Sequence, residues 1–210
     1  MIALVGLLAA TPQGTHAQVR VEIEPLVGVY AGFSSFPRPP GTGFPTFPDT
    51  LTQKTAVALG GQLSVWPGRR VGVRLLGVTA PSKVGPETRD LLNREPVPAR
   101  VTVAALEAVV PLRDLPSGAR VFLAGGPALI SRSGEAYDDF EGLRDLGASL
   151  AVGSQFRLSD RLSLQGDIRA VLYSLGLTDP DGLEYPSAFQ TDLLAHVGLA
   201  LTLGTTDDIE

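Results

Sequence analysis

The segment Leu146-Gly147-Ala148-Ser149-Leu150-Ala151-Val152-Gly153-Ser154-Gln155-Phe156-Arg157-Leu158 alternates between two kinds of side chain. Its even positions are mostly apolar, whereas its odd positions are Gly, Ser, Gln, Arg or Ala. A period of two is that of a β-strand, in which successive side chains point to opposite faces. One face of this segment therefore suits lipid and the other suits water.

Seven further segments complete a set of eight predicted strands. Brief connections follow the second, fourth and sixth strands, whereas residues 34–55, 81–99, 132–144 and 175–188 form long connections that would all emerge at one end. This arrangement predicts an all-β, eight-stranded antiparallel up-and-down transmembrane β-barrel with short periplasmic turns and long extracellular loops. The predicted strands are residues 20–33, 56–66, 70–80, 100–112, 120–131, 145–158, 162–174 and 189–203.

The turns also predict how the strands pair. A tight turn between the second and third strands places Gln62 opposite Arg74, and the turn between the sixth and seventh places Gln155 opposite Gln165. The fourth and fifth strands are apolar on both faces, so which face points inward stays open there. Pro127 removes a ladder donor inside the fifth strand and is expected at a bulge.

Composition excludes several classes of protein. The chain has 210 residues, no linker between two periodic regions and a formal net charge of -5 without a basic patch, which predicts one domain and no nucleic-acid partner. It has no cysteine, which excludes disulfides, thiolate metal sites and a lipoprotein anchor. We expect no cofactor and no metal site.

The N-terminal residues are typical of a secretion leader. Ile2–Ala10 is apolar but too short to cross a bilayer as a helix, and Thr15-His16-Ala17 offers small residues where a signal peptidase cuts. No Lys or Arg precedes the apolar run, so a buried N-terminal strand is the alternative. The predicted division is a leader at 1–17, a barrel at 18–204 and a polar tail at 205–210.

The patterns of Ala56–Val78 and Leu146–Tyr173 resemble those of small eight-stranded outer-membrane β-barrels of the OmpA/OmpX type, over roughly residues 18–204. The resemblance implies the cell outer membrane, contacts with outer-membrane lipids and lipopolysaccharide, folding by the outer-membrane assembly machinery, and a monomer. The chain departs from the family at its end. Family members tend to finish on an aromatic residue, whereas here Leu201-Thr202-Leu203 is followed by a polar tail.

Eight strands enclose a space that side chains fill, which predicts a plugged interior and not a pore. Charges of both signs face this interior, and they should pair because an unpaired charge in a dry lumen costs several kcal/mol. We therefore predict a structural polar cluster. Its charged members are Arg74, Glu107, Asp167, Arg169, Asp192 and His196, completed by Gln62, Gln155, Gln165 and Arg157.

Five aromatic residues fall near the ends of predicted strands, where the girdles of membrane barrels contact the interface. These interface candidates are Phe33, Trp66, Phe156, Tyr173 and Phe189.

The functional hypothesis is a non-enzymatic integral outer-membrane protein that presents surface loops for envelope structure, adhesion or binding. A secreted soluble barrel that binds a small lipid is an alternative, because alternation alone does not say which face is outside. A lipid A-modifying outer-membrane enzyme is a third. It would need a base beside a nucleophile, and His196, beside Asp192 on the same face, has no serine neighbour on that face of its strand.

Overall fold

A computed structural model describes residues 19–33, 51–68, 70–86, 95–138, 140–141, 143–176, 178 and 187–203. The predicted leader and the polar tail lie outside these residues. No helix in the described ranges is long and apolar enough to cross a membrane. The elements are β1 (Arg20–Gly32), β2 (Leu51–Gln53), β3 (Ala56–Trp66), β4 (Gly72–Pro86), β5 (Val97–Asp114), β6 (Ala119–Ser133), a 3-10 helix (Glu135–Tyr137), β7 (Arg144–Arg157), β8 (Leu162–Leu175) and β9 (Ala188–Leu203).

Eight of these strands close into an antiparallel barrel. The ring order is β3-β1-β9-β8-β7-β6-β5-β4, and β4 returns to β3. Strand β2 pairs with β4 beyond the point where β3 does. We call the end that holds the β3–β4, β5–β6 and β7–β8 connections, together with Arg20 and Leu203, the turn end. The opposite end, where the longer connections leave, is the loop end.

The alternation that defines the strands separates an apolar outer wall from a filled lumen. Val73, Leu150 and Leu199 are 48%, 56% and 46% exposed, whereas Arg169 and Asp192 are 0% and 3% exposed. In water, each large apolar side chain left exposed would forgo about 1.5–3 kcal/mol of burial free energy. The outer wall is therefore a lipid-contacting surface. The soluble-carrier alternative needs the apolar stripes inside, and it is contradicted.

The structure resolves the facing of β5 and β6. Odd residues of β5 point inward as far as Val109, and even residues of β6 from Phe122 point inward. The inward positions at mid-strand are small, such as Ala105 and Ala128, which explains why both faces look apolar in sequence.

One of the two predicted hairpin registers is confirmed. Gln155 pairs with Gln165 as expected from the short β7–β8 turn. In β3–β4 the register is shifted by two residues, so that Ser64 and not Gln62 faces Arg74. The strands there are joined by residues 67–71 and not by a two-residue turn, which explains the shift.

Prolines interrupt the ladders in a way that the sequence did not predict. Pro127 lies in a short gap of the β5–β6 ladder, but the register is the same on both sides, so the predicted bulge there is wrong. The register of that pair shifts instead between Pro111 and Arg113. Two successive residues of β5, Leu112 and Arg113, therefore occupy the space that one residue would fill.

Candidate functional site in the barrel lumen

A central charged cluster crosses the lumen. Arg74 Nη1 lies 3.2 Å from Asp167 Oδ2, and Arg169 Nη2 lies 3.1 Å from the same oxygen. Arg169 also pairs with Glu107, and Ser149 Oγ donates a 2.6 Å hydrogen bond to Glu107 Oε1. Both arginines are fully buried. The cluster thus ties β4, β5, β7 and β8 together through charge-assisted hydrogen bonds, which are the stronger kind.

Neighbouring groups extend this cluster toward β1 and β6. Gln62 Nε2 donates a 2.5 Å hydrogen bond to Glu24 Oε2, and the Arg74 guanidinium lies 4.8 Å from the centre of the Phe122 ring. Gly153 permits this packing, because a Cβ on it would clash with Phe122 and with Asp167. Small residues are needed where side chains from three strands converge.

His196 belongs to this cluster through Asp167 and not through Asp192. Its Nδ1 lies 3.3 Å from Asp167 Oδ1, and the two residues face each other in the β8–β9 ladder. Asp192 shares its strand face, but four residues of extended chain separate the two by about 13 Å. The predicted single cluster is therefore divided, with Asp192 in a second group nearer the loop end.

This second group, the loop-end cluster, is built on aromatic hydroxyls. Tyr30 and Tyr173 both donate to Asp192 Oδ2, over 2.5 and 2.8 Å. The Arg132 guanidinium stacks 4.8 Å from the Tyr173 ring centre and pairs with Asp145. The alternation along β6 and β7 contains the signal for these partners, since Arg132 and Asp145 have the inward parity of their strands, but the prediction missed both.

The 3-10 helix adds a further aromatic contact at this end. Tyr137 is buried, and its hydroxyl donates a 2.7 Å hydrogen bond to Gln53 Oε1 in β2. Burial raises the pKa of the Tyr137 hydroxyl above its usual range, so it stays protonated and acts as a donor. This contact joins the 3-10 helix to the short strand beside β4.

An apolar layer separates the two polar clusters. Its side chains are aliphatic and mostly small or branched, and they are nearly inaccessible to solvent. The charged cluster lies on the turn-end side of this layer. The members of the layer are Leu26, Ala58, Leu76, Val78, Ala80, Val101, Val103, Ala105, Ala128, Ile130, Val171 and Leu194. It packs against Tyr30 and Tyr173 of the loop-end cluster, and Leu175 lies beyond Tyr173 at the end of β8.

The barrel wall has a seam beside the apolar layer. The β3–β4 ladder ends at Leu59 and Thr79, and pairing resumes only where Lys54 N donates to Lys83 O over 2.8 Å. Pro81 lies inside this interval and has no N–H to donate. Small side chains, those of Ala56, Ala58 and Ala80, line the lumen side of the seam.

Two of the five interface candidates are corrected. Trp66 and Tyr173 are each 5% exposed and point into the lumen, where Trp66 Nε1 donates to Glu22 Oε2. Their ring N–H and O–H need buried partners, which the lumen supplies and hydrocarbon does not. Phe33, Phe156 and Phe189 are 66%, 43% and 70% exposed near strand ends.

Of the remaining predicted lumen residues, two lie in the lumen and one does not. Gln165 is buried, and Gln155 Nε2 donates to Ser163 Oγ over 2.8 Å. Arg157 is not in the lumen, since its side chain is 63% exposed and pairs with Asp160 beyond the end of β7. Its position at the last residue of the strand places it outside the packed interior.

The charged cluster can fill and brace the lumen. His196 is the only histidine in the described part of the chain, and both of its ring nitrogens are buried without a hydrogen bond to any described residue. A general base must reach the group whose proton it abstracts, and in the described part of the chain the ionisable group nearest to this imidazole is the Asp167 carboxylate.

Comparison with solved structures identifies the fold. The chain is similar to OprG from Pseudomonas aeruginosa, an outer membrane protein, with 12% identity, a TM-score of 0.61 and coverage of 92% of this chain and 99% of that one. It is similar to the outer membrane protein AlkL in lipid bilayers, with 12% identity, a TM-score of 0.61 and coverage of 96% and 97%. It is also similar to Neisserial surface protein A, with 10% identity, a TM-score of 0.54 and coverage of 88% and 97%.

No protein-family profile matches the chain, and no curated protein matches it. The comparisons therefore rest on structure, where the similarity extends over nearly the whole of each chain. The fold is that of the small eight-stranded outer-membrane β-barrels, as the sequence pattern predicted.

Proposed function

We propose that this chain is a non-enzymatic integral outer-membrane protein whose closed barrel anchors the long connections of its loop end for envelope structure, adhesion or binding. The observation that carries this proposal is the charged cluster that joins Arg74 on β4 to Asp167 on β8 across the lumen. Paired charges that cross the lumen connect its opposite walls and block it, so the role of the cluster is to stabilise the barrel.

The orientation follows from the ends of the barrel. Short turns characterise the periplasmic end of outer-membrane barrels and longer loops the exterior. The loop end would then contact lipopolysaccharide, the apolar wall would contact outer-membrane lipid, and the assembly machinery would insert the chain as a monomer. Closure of the ring supports the monomer, because each of the eight described barrel strands pairs on both sides along most of its length.

Fractionation and conductance test this proposal. We expect the protein in the outer-membrane fraction, with heat-modifiable migration in detergent gels and no steady conductance in planar bilayers. The variant Arg74→Ala/Arg169→Ala, which removes both buried arginines, should raise conductance if it folds. Recovery as a dispersed periplasmic protein contradicts the proposal, as does a large open pore in the unmodified chain.

A separate test concerns enzymatic activity. The variant His196→Ala should leave lipid A unchanged in mass, because the histidine is enclosed beside Asp167. A change in lipid A that depends on His196 would establish the enzyme alternative instead.

The seam favours a second candidate function, the passage of small apolar compounds from the loop end into the bilayer. The apolar layer lies against the interrupted part of the β3–β4 ladder, and the charged cluster blocks the route toward the turn end. A compound that entered this layer would leave most easily through the wall, where fewer backbone hydrogen bonds must break.

A crosslink can test this candidate, because the chain has no cysteine. Ala58→Cys/Ala80→Cys would join the strands across the seam, and Val65→Cys/Val73→Cys would join the same strands where the ladder is intact. Oxidation of the first pair should stop uptake of an apolar fluorescent probe, and reduction should restore it. Equal uptake with either crosslink would exclude the seam as a route.

A further inference from the structure

Exposed arginines surround the turn end of the barrel. We define the arginine rim as the five described arginines in and beside the three short connections. The described charges of these connections, which also include Asp114 and Asp160, sum to +3, although the whole chain carries -5. The members of the arginine rim are Arg70, Arg113, Arg120, Arg157 and Arg161.

Internal pairing accounts for only part of this charge. Arg120 Nε lies 2.8 Å from Asp114 Oδ1, and Arg157 Nη2 lies 2.8 Å from Asp160 Oδ1. Arg70, Arg113 and Arg161 are exposed and form no ion pair with any described residue. These three guanidinium groups therefore have no anionic partner in the described part of the chain.

The loop end does not share this surplus. Among its described residues, exposed or half-exposed basic and acidic side chains balance four against four, so the charge asymmetry is along the barrel axis. The basic residues are Lys54, Lys83, Arg100 and Arg144, and the acidic residues are Glu95, Glu135, Asp138 and Glu141.

Apolar side chains alternate with the arginines of the rim. Leu112, Leu115 and Leu158 are 55%, 37% and 51% exposed in the same connections or directly beside them. The β5 bulge contributes to this mixture, because Arg113 pairs with the outward-facing Val121 of β6 and so lies on the outer side of the barrel next to Leu112. Mixed apolar and basic side chains are typical of a surface at the boundary between hydrocarbon and headgroups.

We propose that the arginine rim binds the anionic headgroups of phospholipids in the leaflet at the turn end. The inference rests on the proposed membrane-spanning function, since the outer apolar wall brings this end to headgroup depth. Guanidinium groups bind phosphate through two parallel hydrogen bonds, which an ammonium group does not match. All five basic residues of the rim are arginine, although the loop end carries two lysines.

A competing anion is the acidic tail that follows β9, which contains Asp207, Asp208 and Glu210. Lipid is favoured because the leucines beside the arginines are also exposed and would be buried by contact with hydrocarbon. A headgroup with its acyl chains supplies both a phosphate and hydrocarbon, whereas three acidic side chains supply only charge.

Lipid selectivity measured on the full chain in vesicles tests the proposal. Spin-labelled phosphatidylglycerol and spin-labelled phosphatidylcholine are compared in vesicles of phosphatidylcholine that contain the folded protein. We expect the unmodified chain to prefer the anionic lipid by about two- to threefold, and high salt to reduce that preference. Arg70→Gln/Arg113→Gln/Arg161→Gln should abolish it.

A matched variant removes three basic charges from the loop end. Lys83→Gln/Arg100→Gln/Arg144→Gln should keep the preference, since these side chains are exposed at the other end of the barrel. Equal binding of the two lipids by the unmodified chain overturns the proposal, and so does a preference that survives in the rim variant. If the triple rim variant does not fold, each single arginine variant should lose part of the preference, and three unchanged single variants overturn the proposal.

Two further outcomes separate the alternatives. If the unmodified chain shows no preference but Asp207→Asn/Asp208→Asn/Glu210→Gln does, the tail occupies the rim and the lipid proposal is overturned. A chain that never acquires heat-modifiable migration in vesicles contradicts the membrane-spanning function itself. A chain that inserts but binds both lipids equally contradicts only the rim.

Discussion

The guanidinium of Arg74 lies 3.2 Å from the carboxylate of Asp167, and the strands that carry them are opposite each other in the ring of eight. Four steps separate β4 from β8 in either direction around the barrel. A pair between adjacent strands would only reinforce the wall, whereas this pair fixes the distance between opposite walls. The lumen is thereby held at one width.

Removal of one member of this pair should be strongly destabilising. Arg74→Met leaves the buried Asp167 paired with Arg169 alone, and Asp167→Leu removes the carboxylate that both arginines share. We expect each variant to lose up to about 3–5 kcal/mol in the free energy of unfolding, with the larger loss for Asp167→Leu. The double variant should lose less than the sum, because no orphaned charge remains on that pair. Urea unfolding of the vesicle-inserted protein measures each value.

The exposed pair of Arg157 and Asp160 provides the control for this cycle. Solvent screens it, so Arg157→Gln should change the unfolding free energy by about 0–1 kcal/mol. Equal effects at the buried and the exposed pair would contradict a bracing role for the lumen cluster.

A second prediction concerns the loop-end cluster. Asp192→Leu removes the acceptor for Tyr30 and Tyr173, and each stranded hydroxyl should cost about 1–3 kcal/mol. Adding Tyr30→Phe and Tyr173→Phe should recover much of that loss, since no unsatisfied donor is then left. Thermal unfolding in detergent reports both steps, and a triple variant weaker than Asp192→Leu would disprove the shared-acceptor explanation.

A third prediction tests the depth of the apolar wall. Leu150 lies near the middle of β7 and faces outward, whereas Leu158 lies just past its end. Arginine should cost about 2–4 kcal/mol at the mid-wall position and about 0–1 kcal/mol near the boundary. Folding yields in vesicles should rank Leu150→Arg well below Leu158→Arg, and the reverse order would place the bilayer elsewhere on the barrel.

A fourth prediction uses two glycines that differ only in their surroundings. Gly153→Val would push against Phe122 and Asp167, and overpacking of this kind costs about 1–3 kcal/mol. A Cβ on Gly77 meets nothing within 4 Å, so Gly77→Val should be neutral or stabilising by up to about 1 kcal/mol. Equilibrium unfolding compares the two variants, and equal destabilisation would remove the packing argument.

The sequence predicted the barrel because alternation along each strand is a local property. It predicted the β7–β8 register for the same reason, since a short turn leaves little freedom in pairing. It did not predict the β3–β4 register, because a five-residue connection permits more than one pairing and no residue between Trp66 and Gly72 decides among them.

Parity along the strands would have corrected the aromatic assignments. Trp66 and Tyr173 have the inward parity of their strands and are buried, whereas Phe33, Phe156 and Phe189 have outward parity and are exposed. Proximity to a strand end was the weaker criterion. The contacts across the lumen, such as those of Arg169 with Glu107, depend on closure of the ring, which no local pattern contains.

The pairing of β1 with β9 means that the barrel can close only after the last strand has been synthesised. The first and last strands of the barrel are neighbours, so the hydrogen-bonding edge of β1 waits until the final segment of the chain arrives. Until then, the unpaired edge of β1 can pair with other chains. Contacts between strands this distant in sequence also form slowly. A chaperone would therefore have to protect a nascent molecule that lacks only its final strand, and truncation before Ala188 should yield aggregates in place of a smaller barrel.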